Sequence, residues 1–263
     1  MNERAGFIKD SKVAFKGAIN GILGSIIYEL IIVMFLSLIL TSVIASKNPN
    51  ASQEQLELLV NDAYNSFSYG ILVSFLASVV TLGVFVYIIK LDVFKELCKN
   101  LINRKTLKKG IIIAGCLMIF SLVYNSLIVT IFNLESAGNA NQEAVTTLIK
   151  NNAFLGFLSV VILAPIVEEL TYRYCVFGGI RKYKKVLAYI VSGIIFMAMH
   201  SIASISQAGG LNMAFVKELI YLPPYLFSGL ALCYAYDKTG NIGSSVMAHL
   251  FNNLVSFLVV VCL

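Results

Sequence analysis

Apolar runs of about 20 residues recur along this chain, separated by short polar connections; one helix needs a run of about that length to cross the hydrocarbon core of a bilayer. In that solvent every backbone N–H and C=O must be satisfied by the protein itself, so such runs fold as helices or as a closed barrel. The runs here are continuous instead of short and alternating, which favours helices. Composition agrees, at 58% hydrophobic and 13% charged, against about 45–50% and about 25% in a soluble domain. The expected fold class is therefore all-α, a polytopic membrane bundle.

About seven spans can be drawn, at roughly 20–45, 69–90, 110–132, 152–177, 186–203, 215–236 and 242–263. The apolar stretch from about Ile19 to Ala45 is longer than the core of a signal peptide and contains Glu29, so it reads as a span and not a cleaved leader. Basic residues gather in alternate connections: Arg4 to Lys16, Lys90 to Lys109, Arg181 to Lys185, and Lys238. Lysine and arginine bias sets orientation, which puts the N-terminus in the cytoplasm. Topology and contact with anionic lipid heads account for the net charge of +6, and no nucleic acid is expected as a partner. The turn-rich stretch Ser204 to Asn212 reads as a loop, and the 203–241 region could hold a re-entrant segment. The five cysteines form no Cys-x-x-Cys pair and read as small buried hydrophobes.

Chemistry concentrates within about the last 100 residues. The only two histidines, His200 and His249, fall inside apolar segments, where an ionisable group is costly and usually faces a partner or a water-filled cavity. A third segment carries Glu168 and Glu169, with Arg173 four residues after the second. Residues four apart share a helix face, so Glu169 pairs with Arg173. Glu168, rotated by about 100°, is left available. Pro165 removes a backbone donor and frees a carbonyl one turn earlier, a kink that would help admit water. His249 and Asn253 are likewise cofacial. If the three helices are neighbours, Glu168, His200, His249 and Asn253 meet in one polar pocket. There Glu168 could take a proton from water that His200 helps to hold. His249 and Asn253 could donate to an oxyanion on an attacked carbonyl. The same Glu168, His200 and His249 could instead bind Zn²⁺ with a position left open for water.

Glu168-Glu169-x-x-x-Arg173, Phe196-x-x-x-His200 and His249-x-x-x-Asn253 resemble, in order and on three separate helices, the three signature motifs of the CPBP family. That family includes the CAAX prenyl endopeptidases and Abi-type proteins of bacteriocin processing and self-immunity. The resemblance implies a helical intramembrane endopeptidase, with Glu168 as activating base and His200 as its partner at the water. It implies His249 and Asn253 as stabilisers of the oxyanion, with Glu169 and Arg173 in support. The family is often labelled metalloprotease, although a glutamate-activated mechanism needs no metal, so the cofactor stays open between Zn²⁺ and none.

The expected organisation is a set of N-terminal membrane helices of unassigned role, 1–150, followed by a catalytic helical core, 151–263. The expected partners are a membrane-associated peptide or protein substrate and the lipid bilayer. Short loops and a Lys/Asn/Ile-rich character suggest a bacterial plasma membrane. Two rival readings are a non-catalytic immunity or regulatory scaffold that keeps the protease fold, and an ion-coupled transporter. The transporter reading lacks the internal repeat that many transporters carry.

Overall fold

The computed structural model describes residues 41–65, 69–89, 103–133, 139–207 and 210–262, with single positions at 34, 35, 38, 39, 95, 98, 99 and 101. Most of the first expected span, together with Glu29 and the N-terminal basic residues, lies outside the described residues. The described residues form helices and no strand. In chain order these helices are α1 (Gln53–Asn65), α2 (Tyr69–Ile89), α3 (Arg104–Phe132), α4 (Ala140–Asn151), α5 (Ala153–Arg181), α6 (Lys185–Gln207), α7 (Met213–Ile220), α8 (Leu222–Thr239) and α9 (Ile242–Cys262).

Among the described residues, four stretches are long and apolar enough to cross a membrane: Arg104–Phe132, Ala153–Arg181, Phe215–Thr239 and Ile242–Cys262. Lys185–Ser201 is apolar but shorter. On α3, Ile119 and Leu122 are 65% and 69% exposed, an outward apolar face suited to lipid. The protein is an integral membrane protein built as a helical bundle.

Local chemistry explains where the helices begin and end. Ser52 and Gln55 cap α1 reciprocally, Ser52 N–H to Gln55 Oε1 and Gln55 N–H to Ser52 Oγ, a capping box. Asn103, Asn139, Asn152 and Asn212 each accept a first-turn N–H, for α3, α4, α5 and α7. Gly240, at φ 64°, closes α8 in the left-handed conformation that glycine adopts without penalty. Pro223 and Pro224 sit at the start of α8, so the expected 215–236 span is two helices joined at Tyr221. The expected loop from Ser204 starts later, because α6 continues to Gln207.

α1 and α4 lie in connections where the sequence pattern marked no span. α4 turns into α5 through one residue. Asn152 gives its N–H to Leu148 O and caps α5 with its side chain. Elsewhere small residues let backbones approach closely. A Cβ on Gly229 of α8 would lie 3.0 Å from Gly193 Cα on α6. One on Gly110 of α3 would lie 2.7 Å from Met247 Cβ on α9. α3, α5, α6, α8 and α9 meet around a core of Leu117, Tyr172, Phe196, Leu232 and Ala248.

Candidate active site

α5 is not a regular α-helix. Phe157–Leu163 and Glu169–Phe177 are π-helical, with one α-helical turn, Ala164–Glu168, between them. Such wide turns are rare and concentrate at functional sites. Ala164 N–H reaches back five residues to Ser159 O. In the same register Val160 O falls opposite Pro165, which has no N–H to give. Asn253 of α9 fills that position, its Nδ2 donating to Val160 O at 3.0 Å. The carbonyl that Pro165 frees is thus satisfied by a side chain from another helix. One N–H of the Asn253 amide is committed there, and its Oδ1 accepts from Asn252.

The two adjacent acids take different surroundings. Glu169 and Arg173 are both fully buried and pair at 2.8 Å, as the four-residue spacing predicts. The same oxygen, Glu169 Oε1, accepts from His249 Nδ1 at 3.0 Å. Arg173 Nη2 donates to Gly229 O at 3.3 Å, and its guanidinium carbon sits 4.3 Å from the centre of the Phe196 ring. One carboxylate therefore joins α5 to α9, and its arginine joins α5 to α8 and α6. Sequence reasoning assigned Glu169 to Arg173 alone; the bond to His249 crosses between helices, and no local spacing reveals it.

Glu168 faces the other way, 23% exposed at its side chain. Its Oε2 lies 3.5 Å from His200 Nε2 and 3.9 Å from His249 Nε2. His200 Nδ1 is 2.8 Å from Phe196 O, an acceptor, so Nδ1 carries the proton. His249 Nδ1 likewise faces a carboxylate. In their singly protonated forms both rings therefore turn an Nε2 lone pair toward the same acid oxygen. Among the described residues that oxygen has no hydrogen-bond partner. Three acceptors facing one another call for a donor between them, and a water molecule with two O–H groups is the smallest that fits. A divalent cation would answer the same need. An acceptor on Nδ1 of each ring is the support that metal-ligating histidines use. As they stand, however, no three His, Cys, Asp or Glu among the described residues are disposed as ligands.

Glu168, His200, His249 and Asn253 line one cavity of about 350 Å³. The remaining wall mixes apolar side chains such as Leu117, Ile149 and Phe257 with Ser78, Asn141, Gln142, Ser159 and Tyr225. Several of these precede residue 151, so α2, α3 and α4 share in enclosing the site. Sequence reasoning did not single out Tyr225, Asn141 or Ser159. Tyr225 directly follows the Pro223-Pro224 pair, the one local signal that could have drawn attention to it.

A helical membrane domain with one acid and two imidazoles on a cavity, and a second acid buried behind them, is the class that the fold and the site define. Residues 150–255 match the family described as Type II CAAX prenyl endopeptidase Rce1-like. This stretch is an Rce1-like domain, consistent with a CPBP-family protease, and it contains all four residues named above. No curated protein and no solved structure matches the chain.

Proposed function

We propose that the protein is an intramembrane endopeptidase that hydrolyses a peptide bond with a water molecule activated by Glu168. The observation that carries this reading is the convergence of His200 Nε2 and His249 Nε2 on Glu168 Oε2 inside the cavity. Water placed there gives one hydrogen to Glu168 and directs the other at His200 Nε2. As its oxygen attacks the substrate carbonyl carbon, the proton passes to Glu168. The carbonyl oxygen takes the negative charge and receives hydrogen bonds from His249 and from the uncommitted N–H of Asn253. The C–N bond then breaks, and Glu168 returns the proton to the leaving amine. Because Nδ1 of His249 already donates to Glu169, Nε2 can donate only when the ring carries a second proton. With that proton, Glu168, Glu169, Arg173 and His249 sum to zero charge.

In this reading residues 151–263 are the catalytic core, and the helices before them complete the cavity wall. The substrate is a membrane-associated peptide, and the setting is a bacterial plasma membrane. Were Zn²⁺ bound, Glu168, His200 and His249 would hold it, and it would supply Lewis acidity at the water.

The test is cleavage of a fluorogenic peptide library by the purified protein in detergent, with and without a chelator. Cleavage that disappears in Glu168→Gln and His200→Ala is the expected result. Equal cleavage by parent and both variants would refute the assignment. A folded parent that cleaves nothing, with a cellular phenotype indifferent to both substitutions, would favour an immunity scaffold instead.

A further inference from the structure

We propose that Tyr225 is a positioning residue that couples α4, and through it the contents of the cavity, to the orientation of His200. The proposal rests on the reading of His200 as the partner of the water. The His200 imidazole is held at Nδ1 by Phe196 O and lies against two aromatic rings. Phe196 is 4.3 Å away, and Tyr225 stacks on it at 5.2 Å with 27° between the planes. With Nδ1 fixed, these rings determine where Nε2 points.

The Tyr225 hydroxyl ties this stack to a different helix. It donates to Asn139 Oδ1 and accepts from Asn141 Nδ2, both at 3.1 Å. Asn139 is the cap of α4 and Asn141 lies in its first turn. Glu218 of α7, only 6% exposed, accepts the Ala140 N–H between them. The first turn of α4 is therefore fastened to α7 and α8, and its last residue joins α5 through Asn152 alone.

α4 also forms a wall of the cavity, with Asn141, Gln142, Val145 and Leu148 facing in. A peptide occupying the cavity must press on this wall. Asn141 both lines the cavity and holds the tyrosine, so a substrate amide that engages Asn141 or shifts α4 changes the bonding of Tyr225. The stacked imidazole moves in response. A displacement of about 1 Å at a catalytic group is enough to cost about a hundredfold in rate, so the link has leverage.

The experiment combines kinetics with histidine NMR, which is simple here because only two imidazoles give signals. Tyr225→Phe keeps the ring and cuts both bonds to α4, while Asn141→Ala cuts one. Each is expected to lower kcat about tenfold, and Tyr225→Phe, which removes no group that the substrate is argued to engage, to change KM by less than about twofold. The double variant is expected to be no slower than Tyr225→Phe, since both changes sever one link. In the ¹³C,¹⁵N-histidine spectrum Tyr225→Phe moves the His200 signals and leaves those of His249 in place. A non-cleavable peptide is expected to shift His200 less in the variant than in the parent, because only the direct contact remains. Parental kcat together with unmoved His200 signals in Tyr225→Phe overturns the coupling, as does a double variant about a hundredfold slower. Glu168→Gln in the same assay separates the two levels. A Glu168-dependent parent indifferent to Tyr225→Phe overturns the coupling alone, whereas cleavage indifferent to Glu168→Gln overturns the site reading beneath it.

Discussion

Glu169→Leu is the sharpest perturbation available. The change removes the carboxylate that faces Arg173 at 2.8 Å and His249 at 3.0 Å. Arg173 remains fully buried, with Gly229 O at 3.3 Å and the Phe196 and Tyr172 rings still beside it. These contacts already exist in the parent, so none offsets the loss. Removing one member of a buried ion pair costs about 3–5 kcal/mol, which lowers the thermal midpoint by about 6–20 °C. Glu169→Leu with Arg173→Met removes both charges together. Such exchanges are neutral or stabilising, so the midpoint should return to that of the parent. Cleavage should not return, because His249 Nδ1 then faces an alkyl chain and nothing fixes its orientation. Buried Cys175 and Cys233 report unfolding through a thiol-reactive dye once exposed Cys98, Cys116 and Cys262 are replaced by serine. A double variant that cleaves at the parental rate refutes the positioning role of Glu169. A single variant that melts with the parent refutes the buried-pair energetics.

Glu168→Gln and His200→Ala should each lower cleavage by at least about a hundredfold with an unchanged thermal midpoint, since both side chains border the cavity and are about one-fifth exposed. Gly229→Ala places a methyl 3.0 Å from Gly193 Cα and should destabilise by about 1–3 kcal/mol. Gly83→Ala, with nothing within 4 Å of its added methyl, should be neutral or stabilising in the same melting assay. Asn253→Ala strands Val160 O, and Pro165→Ala supplies the missing N–H. The pair should therefore couple by about 0.5–3 kcal/mol in a double-mutant cycle, and simple additivity would refute the capping role.

Apolar length and charge made the helical membrane class legible, because the bilayer leaves backbone groups few alternatives. The spacing of Glu169 and Arg173 made their pairing legible for the same local reason. Three features were not local. The bond from Glu169 to His249 depends on which helices are neighbours. The π-helical turns of α5 have no pattern of their own in the sequence, and Pro165 announced a freed carbonyl without naming the residue that would satisfy it. α4 was passed over because it is only 12 residues long and carries Glu143, Thr147 and Lys150 between the residues that line the cavity. In a membrane protein such a helix resembles a connection until the cavity it lines is known.

The doubled acid, rather than either histidine alone, is what organises the site. The proposed hydrolytic role needs one carboxylate free for water, while another holds an imidazole and a guanidinium in a dry layer. Glu169 does not do both, because the carboxylate that takes Arg173 and His249 is fully buried. Adjacent positions on α5 solve this by pointing apart, Glu169 into the core and Glu168 to the cavity, at 0% and 23% exposure. His249 bridges the two layers, Nδ1 on the buried acid and Nε2 toward the free one. Exchanging the roles of the two acids would need α5 to rotate against α9, which the Asn253 bond to Val160 O and the Arg173 bond to Gly229 O oppose. The order of the two glutamates is therefore fixed by packing, and the chemistry proposed for Glu168 follows from being the one that packing leaves exposed.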